Sequence, residues 1–158
     1  MKVKTLFLIC FLSITCLLNA ADKPVIQIHT DNSSLIFRIA DNGRLYQSYL
    51  GKKLSHETDI SHLPHGTEAY ITHGMEDYFE PAIHILHNDG NPSLLLKHVS
   101  HETKAVSQGV NETIITLGDD KYTVTVKLHY VTYPAEDIIK TYTEISHKEK
   151  KPVVLHQY

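Results

Sequence analysis

The chain has 158 residues, of which 15 are basic and 18 acidic, and a formal net charge of −3 at pH 7. No basic cluster stands out along it, so we expect no nucleic-acid partner. Both cysteines, Cys10 and Cys16, lie within the first 20 residues, which leaves the rest of the chain without a disulfide or a thiolate metal ligand.

The first 20 residues are laid out like a secretory signal peptide. They begin with two lysines in residues 1–4, continue with an apolar run over residues 6–18, and end in small residues around Ala20. The run is shorter than the roughly 20 residues that cross a bilayer as a helix, so no transmembrane span is expected. We therefore predict an exported protein, periplasmic or secreted. A lipoprotein anchored through Cys16 is the alternative.

Removal of this segment, with Lys2 and Lys4, leaves 138 residues with 13 basic and 18 acidic side chains, a formal charge of −5. That length suits one domain of ordinary size. We assign the signal peptide to residues 1–20 and a single domain to residues 22–158.

The rest of the chain is a series of short apolar runs separated by turn residues. Runs rich in β-branched and aromatic residues predict strands at residues 24–30, 35–40, 44–50, 82–87, 94–99, 113–117, 122–133 and 138–145. Asn, Asp and Gly, which favour tight turns, are concentrated at residues 41–43, 88–92 and 118–120. No stretch after residue 22 keeps a helical stripe.

Residues 122–130 show the clearest strand pattern. Charged and polar residues, including His129, occupy one face, and the other face carries Tyr122, Val124, Val126, Leu128 and Tyr130. Alternation of this length indicates that one face is buried and the other meets water or a polar partner. Many short strands of this kind pack as an antiparallel β-sandwich, so we predict an all-β fold.

The last apolar run, residues 152–158, resembles a strand with nothing polar after it. An open strand edge invites aggregation. We therefore expect a sandwich that is incomplete at its C-terminus, from a chain that has been cut short.

Twelve histidines raise the question of a metal site. Three pairs have His-x-x-His spacing, namely His62/His65, His84/His87 and His98/His101. An odd separation on a strand places two side chains on opposite faces, so the pair at 84 and 87 cannot chelate together. The pair at 62 and 65 lies in a loop and could bind only opportunistically. We predict no metal site and no cofactor.

Glu76, Asp77 and Glu80 form the densest group of acidic residues. A glycosidase needs two carboxylates on opposite sides of the bond it cleaves, roughly 5–10 Å apart. This group could supply one of them but has no partner elsewhere in the chain. No nucleophile elbow, phosphate loop or dinucleotide fingerprint is present either.

A resemblance to a known family extends over about residues 24–158. Residues 68–74 (Glu-Ala-Tyr-Ile-Thr-His-Gly), 77–82 (Asp-Tyr-Phe-Glu-Pro-Ala) and 88–90 (Asn-Asp-Gly) follow one another as in the N-terminal domain of glycoside hydrolase family 36. Three further stretches add to the likeness: Tyr46 with residues 51–53, residues 97–101, and residues 128–130 continuing to 133–134.

The resemblance implies a large antiparallel sandwich, supersandwich-like, packed against a catalytic (β/α)₈ barrel. Family members are retaining α-galactosidases that release terminal α-D-galactosyl residues from melibiose- and raffinose-type sugars. Their two working aspartates belong to the barrel, and the nucleophile lies in a Lys-Trp-Asp stretch. This chain has no tryptophan, so no catalytic residue is carried over and we expect it to be inactive alone.

In many members of the family a loop of this domain reaches an active site, often that of a neighbouring subunit. The resemblance therefore implies substrate-binding candidates at Asp59, Glu68, Tyr70 and Asp77. Phe79 departs from the arginine of many relatives, and the loop over residues 53–68 is short. The alternative is that these residues shape the loop and pack against the barrel.

Three functions follow from these observations. The first is a scaffold within an exported α-galactosidase-like enzyme, with oligomer contacts and the rim of the sugar pocket. The second is a stand-alone carbohydrate-binding module that stacks α-galactoside sugars on exposed aromatic rings. The third is a structural sandwich without a ligand.

Overall fold

The computed structural model describes residues 24–74 and 79–158. The signal peptide predicted for residues 1–20 lies outside this part of the chain. The elements are, in chain order, β1 (Val25–His29), β2 (Ser33–Ile39), β3 (Leu45–Lys52), α1 (Glu57–Ser61), β4 (Thr67–Glu68), β5 (His84–Leu86), β6 (Lys97–Ser107), β7 (Val110–Gly118), β8 (Val124–Tyr133), β9 (Ile138–His147) and β10 (Val154–Gln157). Among the described residues, the sole helix, α1, is far too short to cross a membrane.

The first sheet contains β1 to β4 in sequence order, with every neighbouring pair antiparallel. Its β2–β3 hairpin turns at the predicted position. Gly43 has φ +83° there, and its N–H donates to the carbonyl of Ala40 over 2.9 Å. The positive φ is easily reached by glycine, which explains the residue type at the tip of this turn.

The second sheet contains β6 to β9, again in sequence order and antiparallel. The β6–β7 hairpin turns at Gly109, which has φ +75°. In β8 the predicted alternation is confirmed, because Val124, Val126 and Leu128 are buried while Lys127 between them is half-exposed.

One apolar core lies between the two sheets. It combines side chains from the first sheet with side chains from the second and from the connecting loops: Ile26, Ile28, Leu35, Phe37, Ile39, Leu45, Ile83, Ile85, Leu94, Leu96, Ile115, Leu117, Tyr122, Val124, Val126 and Leu128. Two antiparallel sheets sharing a single core make a β-sandwich. The predicted all-β sandwich is therefore confirmed.

The segment after β5 differs from the expected strand over residues 94–99. β5 pairs with β10 in a small separate sheet, and β6 begins only at Lys97. Leu94 and Leu96 are nevertheless buried. Side chains replace the strand ladder here: Asp119 accepts a hydrogen bond from the Leu95 N–H at 2.7 Å, and the Thr72 hydroxyl donates to the Leu94 carbonyl at 2.7 Å.

Two further elements were not expected from the sequence. α1 is a single turn, too short to display a helical stripe, and Arg38 on β2 donates to its Ile60 carbonyl. β6 extends to Ser107, although its residues from Val99 onward are exposed and show no apolar alternation. Pairing with β7, rather than burial of a face, defines this strand.

Candidate functional site

The loop that carries the family resemblance is tied to β5 by backbone hydrogen bonds. The His73 N–H donates to the Ile83 carbonyl over 3.0 Å, and the Ala82 N–H donates to the Ile71 carbonyl over 2.8 Å. Thr72 and Ile83 form a parallel bridge between these bonds, and both are buried. The described ends of this loop are thus fixed to the sandwich.

Glu68 lies on β4 and is held by Arg44. The Arg44 Nε donates to Glu68 Oε1 at 2.7 Å and its Nη2 donates to Oε2, which makes a two-point ion pair. The Glu68 side chain is only 7% exposed. Paired guanidinium and carboxylate groups of this geometry fix orientation as well as charge, so Glu68 joins β4 to the start of β3.

Tyr70 is half-buried and packs against the apolar core. Burial raises the pKa of its hydroxyl, and a hydrogen bond with Thr143 of β9 partly offsets that rise. Tyr70 therefore connects the loop after β4 to the edge of the second sheet.

The structure does not bring the remaining two candidates together with Glu68 and Tyr70. Asp59 is exposed on α1, and Asp77 lies outside the described residues. The structure thus places Glu68 and Tyr70 along one segment, each with a partner inside the fold. A sugar-binding role for the four residues remains a prediction.

Three histidines that the sequence spacing did not connect form a stack beside this loop. His73 and His84 have ring centroids 3.8 Å apart with planes 18° from parallel, and His156 of β10 lies 4.8 Å from His84. We call His73, His84 and His156 the histidine column. The bridge between Thr72 and Ile83 places His73 beside His84, and the pairing of β10 with β5 adds His156.

The surroundings of the histidine column are polar and aromatic. Phe79 is 67% exposed, and Glu80 accepts a hydrogen bond from Gln157 of β10 at 3.3 Å. Desolvation lowers the pKa of His84, and the neighbouring His73 and His156 lower it further. Neutral imidazoles can stack, whereas protonated ones would place like charges a few ångströms apart.

The histidine column predicts acid sensitivity. Because the folded-state pKa of His84 lies below its ordinary value of 6.5, its stabilising contribution is present above that pH and is lost as the pH falls below it. We expect the midpoint of thermal unfolding to fall between pH 7 and 5, and to fall less in His84→Gln. The matched control is His147→Gln, an exposed position on β9. Equal slopes in both variants would contradict the expectation.

His87 and Glu149 form a buried pair on the other side of β5. The His87 Nδ1 lies 2.7 Å from Glu149 Oε1 and its Nε2 lies 3.0 Å from the Ser93 carbonyl oxygen. The imidazole also stacks on Tyr122 at 3.6 Å. Burial raises the pKa of Glu149, but hydrogen bonds from His87 and Asn88 outweigh it and hold that pKa below its usual value.

His84 and His87 thus have different partners, as their odd separation on a strand predicts. The pair at 98 and 101 departs from that rule. A β-bulge between His98 and Ser100 inserts one residue, so that His98 lies opposite Leu117 and His101 opposite Ile115. Both histidines therefore share one face of β6.

A second polar network covers the outer face of the second sheet. The Glu112 carboxylate accepts hydrogen bonds from Tyr142 at 2.6 Å and from His129 at 2.9 Å, and it pairs with Lys104 at 2.9 Å. His129 stacks on Tyr142 at 4.3 Å, and only 7% of it is exposed. The polar face predicted for β8 therefore meets protein partners here rather than water.

This network predicts a second pH effect. The hydrogen bond from Tyr142, with those from Lys104 and His129, lowers the pKa of Glu112 from 4.5 to about 2. The ionised Glu112 carboxylate therefore stabilises the folded state above pH 4.5, and this stabilisation is lost as the pH falls toward 2. We expect Glu112→Gln to reduce the free energy of unfolding at pH 7 by roughly 1.5–3 kcal/mol and to flatten its decline in acid. Urea unfolding at several pH values, with the exposed Glu102→Gln as control, checks this; equal declines in the two variants would count against it.

No group of three or more His, Cys, Asp or Glu residues among those described converges as a set of metal ligands. The buried carboxylates of Glu68, Glu112 and Glu149 each have cationic or hydrogen-bonding partners from the chain itself. These arrangements are structural ones.

Fold and site together define an all-β sandwich domain whose polar clusters serve its own packing. The family model described as the glycosyl hydrolase family 36 N-terminal domain matches residues 38–158. The chain therefore belongs to glycoside hydrolase family 36, and residues 38–158 correspond to the N-terminal domain of that family. No curated protein matches it in sequence.

Solved structures with the same fold include three bacterial α-galactosidases. The enzyme from Lactobacillus brevis superposes with a TM-score of 0.71 at 17% identity over 85% of this chain. AgaA and AgaB from Geobacillus stearothermophilus give TM-scores of 0.74 and 0.72 at 17% and 19% identity, over 85% and 88% of the chain. The match covers 23% of each of those chains, so this chain spans about a quarter of their length.

Proposed function

We propose that this chain is the non-catalytic N-terminal part of an exported α-galactosidase-like enzyme. The substrates of that enzyme are terminal α-D-galactosyl residues of melibiose- and raffinose-type sugars. The observation that carries the proposal is the family match over residues 38–158, together with a fold shared with α-galactosidases. The basic and apolar start of the chain supports export.

The state of the buried acids supports a non-catalytic role. A glycosidase needs one carboxylate that can donate a proton and another that can attack or activate water. Glu68 is neutralised by Arg44, Glu149 is engaged by His87, and Glu112 accepts three hydrogen bonds. Each is committed to holding strands together, which leaves the chemistry to a separate (β/α)₈ barrel.

Exposed apolar side chains support a scaffold role. Leu50 is 63% exposed, Val99 64% and Ile138 52%, and all three lie on strands of the two main sheets. Large apolar side chains exposed at the surface favour contact with another surface. The partners proposed for these side chains are the enzyme's own barrel and a neighbouring subunit.

The proposed contribution to the sugar pocket is at its rim. Asp59 is exposed on α1, and Asp77 follows Gly74 by three positions in the sequence. A carboxylate at such a position could accept hydrogen bonds from sugar hydroxyls. Glu68 and Tyr70 would then act indirectly, by fixing the loop from which the rim is built.

The test is to express the reading frame together with the region that follows the codon for Tyr158 and to assay raffinose hydrolysis. The proposal expects hydrolysis by the full product and loss of folded enzyme when residues 24–158 are deleted. Asp59→Ala should raise KM with little change in kcat, whereas the exposed Asp120→Ala should change neither. A frame that encodes no barrel, or a product without α-galactosidase activity, would refute the proposal.

A sugar titration separates this function from that of a stand-alone carbohydrate-binding module. The purified chain is titrated with galactose, melibiose and raffinose at millimolar concentrations and followed by NMR. Absence of binding agrees with a scaffold, because the rim is completed only by the barrel. Saturable binding by the isolated chain would favour the module.

A further inference from the structure

The nitrogens of His98 and His101 converge on one face of β6. His98 Nε2 lies 3.1 Å from His101 Nδ1, with the ring centroids 5.3 Å apart and the planes inclined by 50°. Residues three apart on a regular strand lie on opposite faces, but the β-bulge at this point places both histidines on one face, opposite Leu117 and Ile115. Two imidazole nitrogens are thereby held within reach of one small ion.

The separation of the two nitrogens matches that of two ligands on one metal ion. An imidazole nitrogen binds Zn²⁺ at about 2.0–2.1 Å. Two such ligands are therefore about 2.9 Å apart at a right angle and about 3.4 Å apart at a tetrahedral angle. The observed 3.1 Å lies between these limits.

The exposure of the pair suits a metal ligand. The two nitrogens share one hydrogen bond, and binding of a metal would move its proton to the other nitrogen of the same ring. His101 is exposed and His98 half-buried. An ion could therefore approach from solvent and retain water in its other positions.

The remaining histidine groups lack this arrangement. Rings of the histidine column meet face to face rather than nitrogen to nitrogen. His87 has acceptors at both of its ring nitrogens, and the Nδ1 of His62 lies 2.6 Å from the Thr58 carbonyl oxygen. The ring nitrogens of His87 and His62 thus contact oxygen atoms of the chain rather than a second imidazole nitrogen.

We propose that His98 and His101 form a two-histidine site for a divalent transition-metal ion, with water completing the coordination. Imidazole nitrogens favour Cu²⁺, Ni²⁺ and Zn²⁺ over Mg²⁺ and Ca²⁺, and Cu²⁺ binds tightest in this series. Occupation would bridge the β-bulge and stabilise the folded state, because the paired geometry exists only in the folded chain.

Copper titration followed by NMR locates the site directly. Substoichiometric CuCl₂ is added to the ¹⁵N-labelled protein at pH 7. The expected result is selective loss of amide signals at residues 98–102 and on the opposite stretch 115–118. ZnCl₂, which is diamagnetic, should instead shift the ring nitrogen signals of His98 and His101.

Variants make the assignment specific. His101→Ala, at an exposed position, should weaken Cu²⁺ binding at this site at least about tenfold, since one of two protein ligands is lost. His98→Gln should do the same, and His62→Ala should leave the site unchanged. The proposal would be overturned if the NMR signals broadened around the histidine column, or around all the histidines alike. It would also be overturned if both His98→Gln and His101→Ala bound Cu²⁺ with unchanged affinity. The contact between the two rings would then be an ordinary hydrogen bond.

Discussion

Glu149→Ala should lower the free energy of unfolding by about 2–4 kcal/mol, because its carboxylate has hydrogen bonds with His87 and Asn88 and bonds to a charged group contribute roughly 1.5–3 kcal/mol each. The His87 side chain is fully buried and that of Glu149 only 4% exposed. The Glu149 carboxylate lies beside one nitrogen of the His87 ring and the Ser93 carbonyl beside the other. Removal of the carboxylate would leave a buried ring nitrogen without its partner.

Glu149 also receives hydrogen bonds from the backbone N–H and the side-chain amide of Asn88. Its loss would therefore loosen the turn after β5 and the approach to β10 together. The control is Glu144→Ala, because Glu144 is 53% exposed and pairs with Lys127 at 3.3 Å. Exposed pairs contribute at most about 1 kcal/mol. Urea unfolding that finds equal losses in the two variants would contradict the buried-pair account.

Phe37→Ala should lower the free energy of unfolding by about 3–5 kcal/mol, as expected for a phenylalanine removed from a packed core. Phe37 is 1% exposed and lies on β2, and its ring is 5.1 Å from that of Tyr130 on β8. The contact crosses between the two sheets. Its loss would leave a cavity where the sandwich is joined.

Phe79→Ala is the matched control, because that ring is 67% exposed. Surface substitutions of this kind change stability by roughly 0.5 kcal/mol or less. Urea unfolding of both variants gives the comparison. If Phe37→Ala were no more destabilising than Phe79→Ala, Phe37 would not be part of the packed core.

Local alternation predicted the strands whose faces differ in polarity. The residues of β8 from Val124 to Leu128 alternate between buried and half-exposed, and the turn at Gly43 has the glycine that its positive φ favours. Such strands are visible in sequence because burial on one face alone imposes a two-residue period. The family resemblance added the order of the elements, and the family match agrees with it.

The exposed length of β6 and the pairing of β5 with β10 could not be predicted, although strands were predicted at residues 82–87 and 152–158. β6 is polar and exposed over most of its length, so only its ladder with β7 identifies it as a strand. β5 and β10 lie far apart in sequence, and their pairing depends on the whole fold. Sequence patterns carry little information on such distant pairs.

The polar clusters were hidden for the same reason. His87 contacts Glu149, and His84 contacts His156, across more than 60 residues of sequence. His98 and His101 share a face of β6 only because a β-bulge lies between them. A bulge adds one residue to a strand without a composition that marks it.

The most direct test of the central claim is an assay of the purified chain with a nitrophenyl α-galactoside. The account predicts no turnover at any protein concentration, because the proposed function assigns both working aspartates to a barrel, whereas the described residues form a β-sandwich. Turnover that rises in proportion to the chain's concentration, and that disappears in Asp59→Asn or Glu68→Gln, would contradict it.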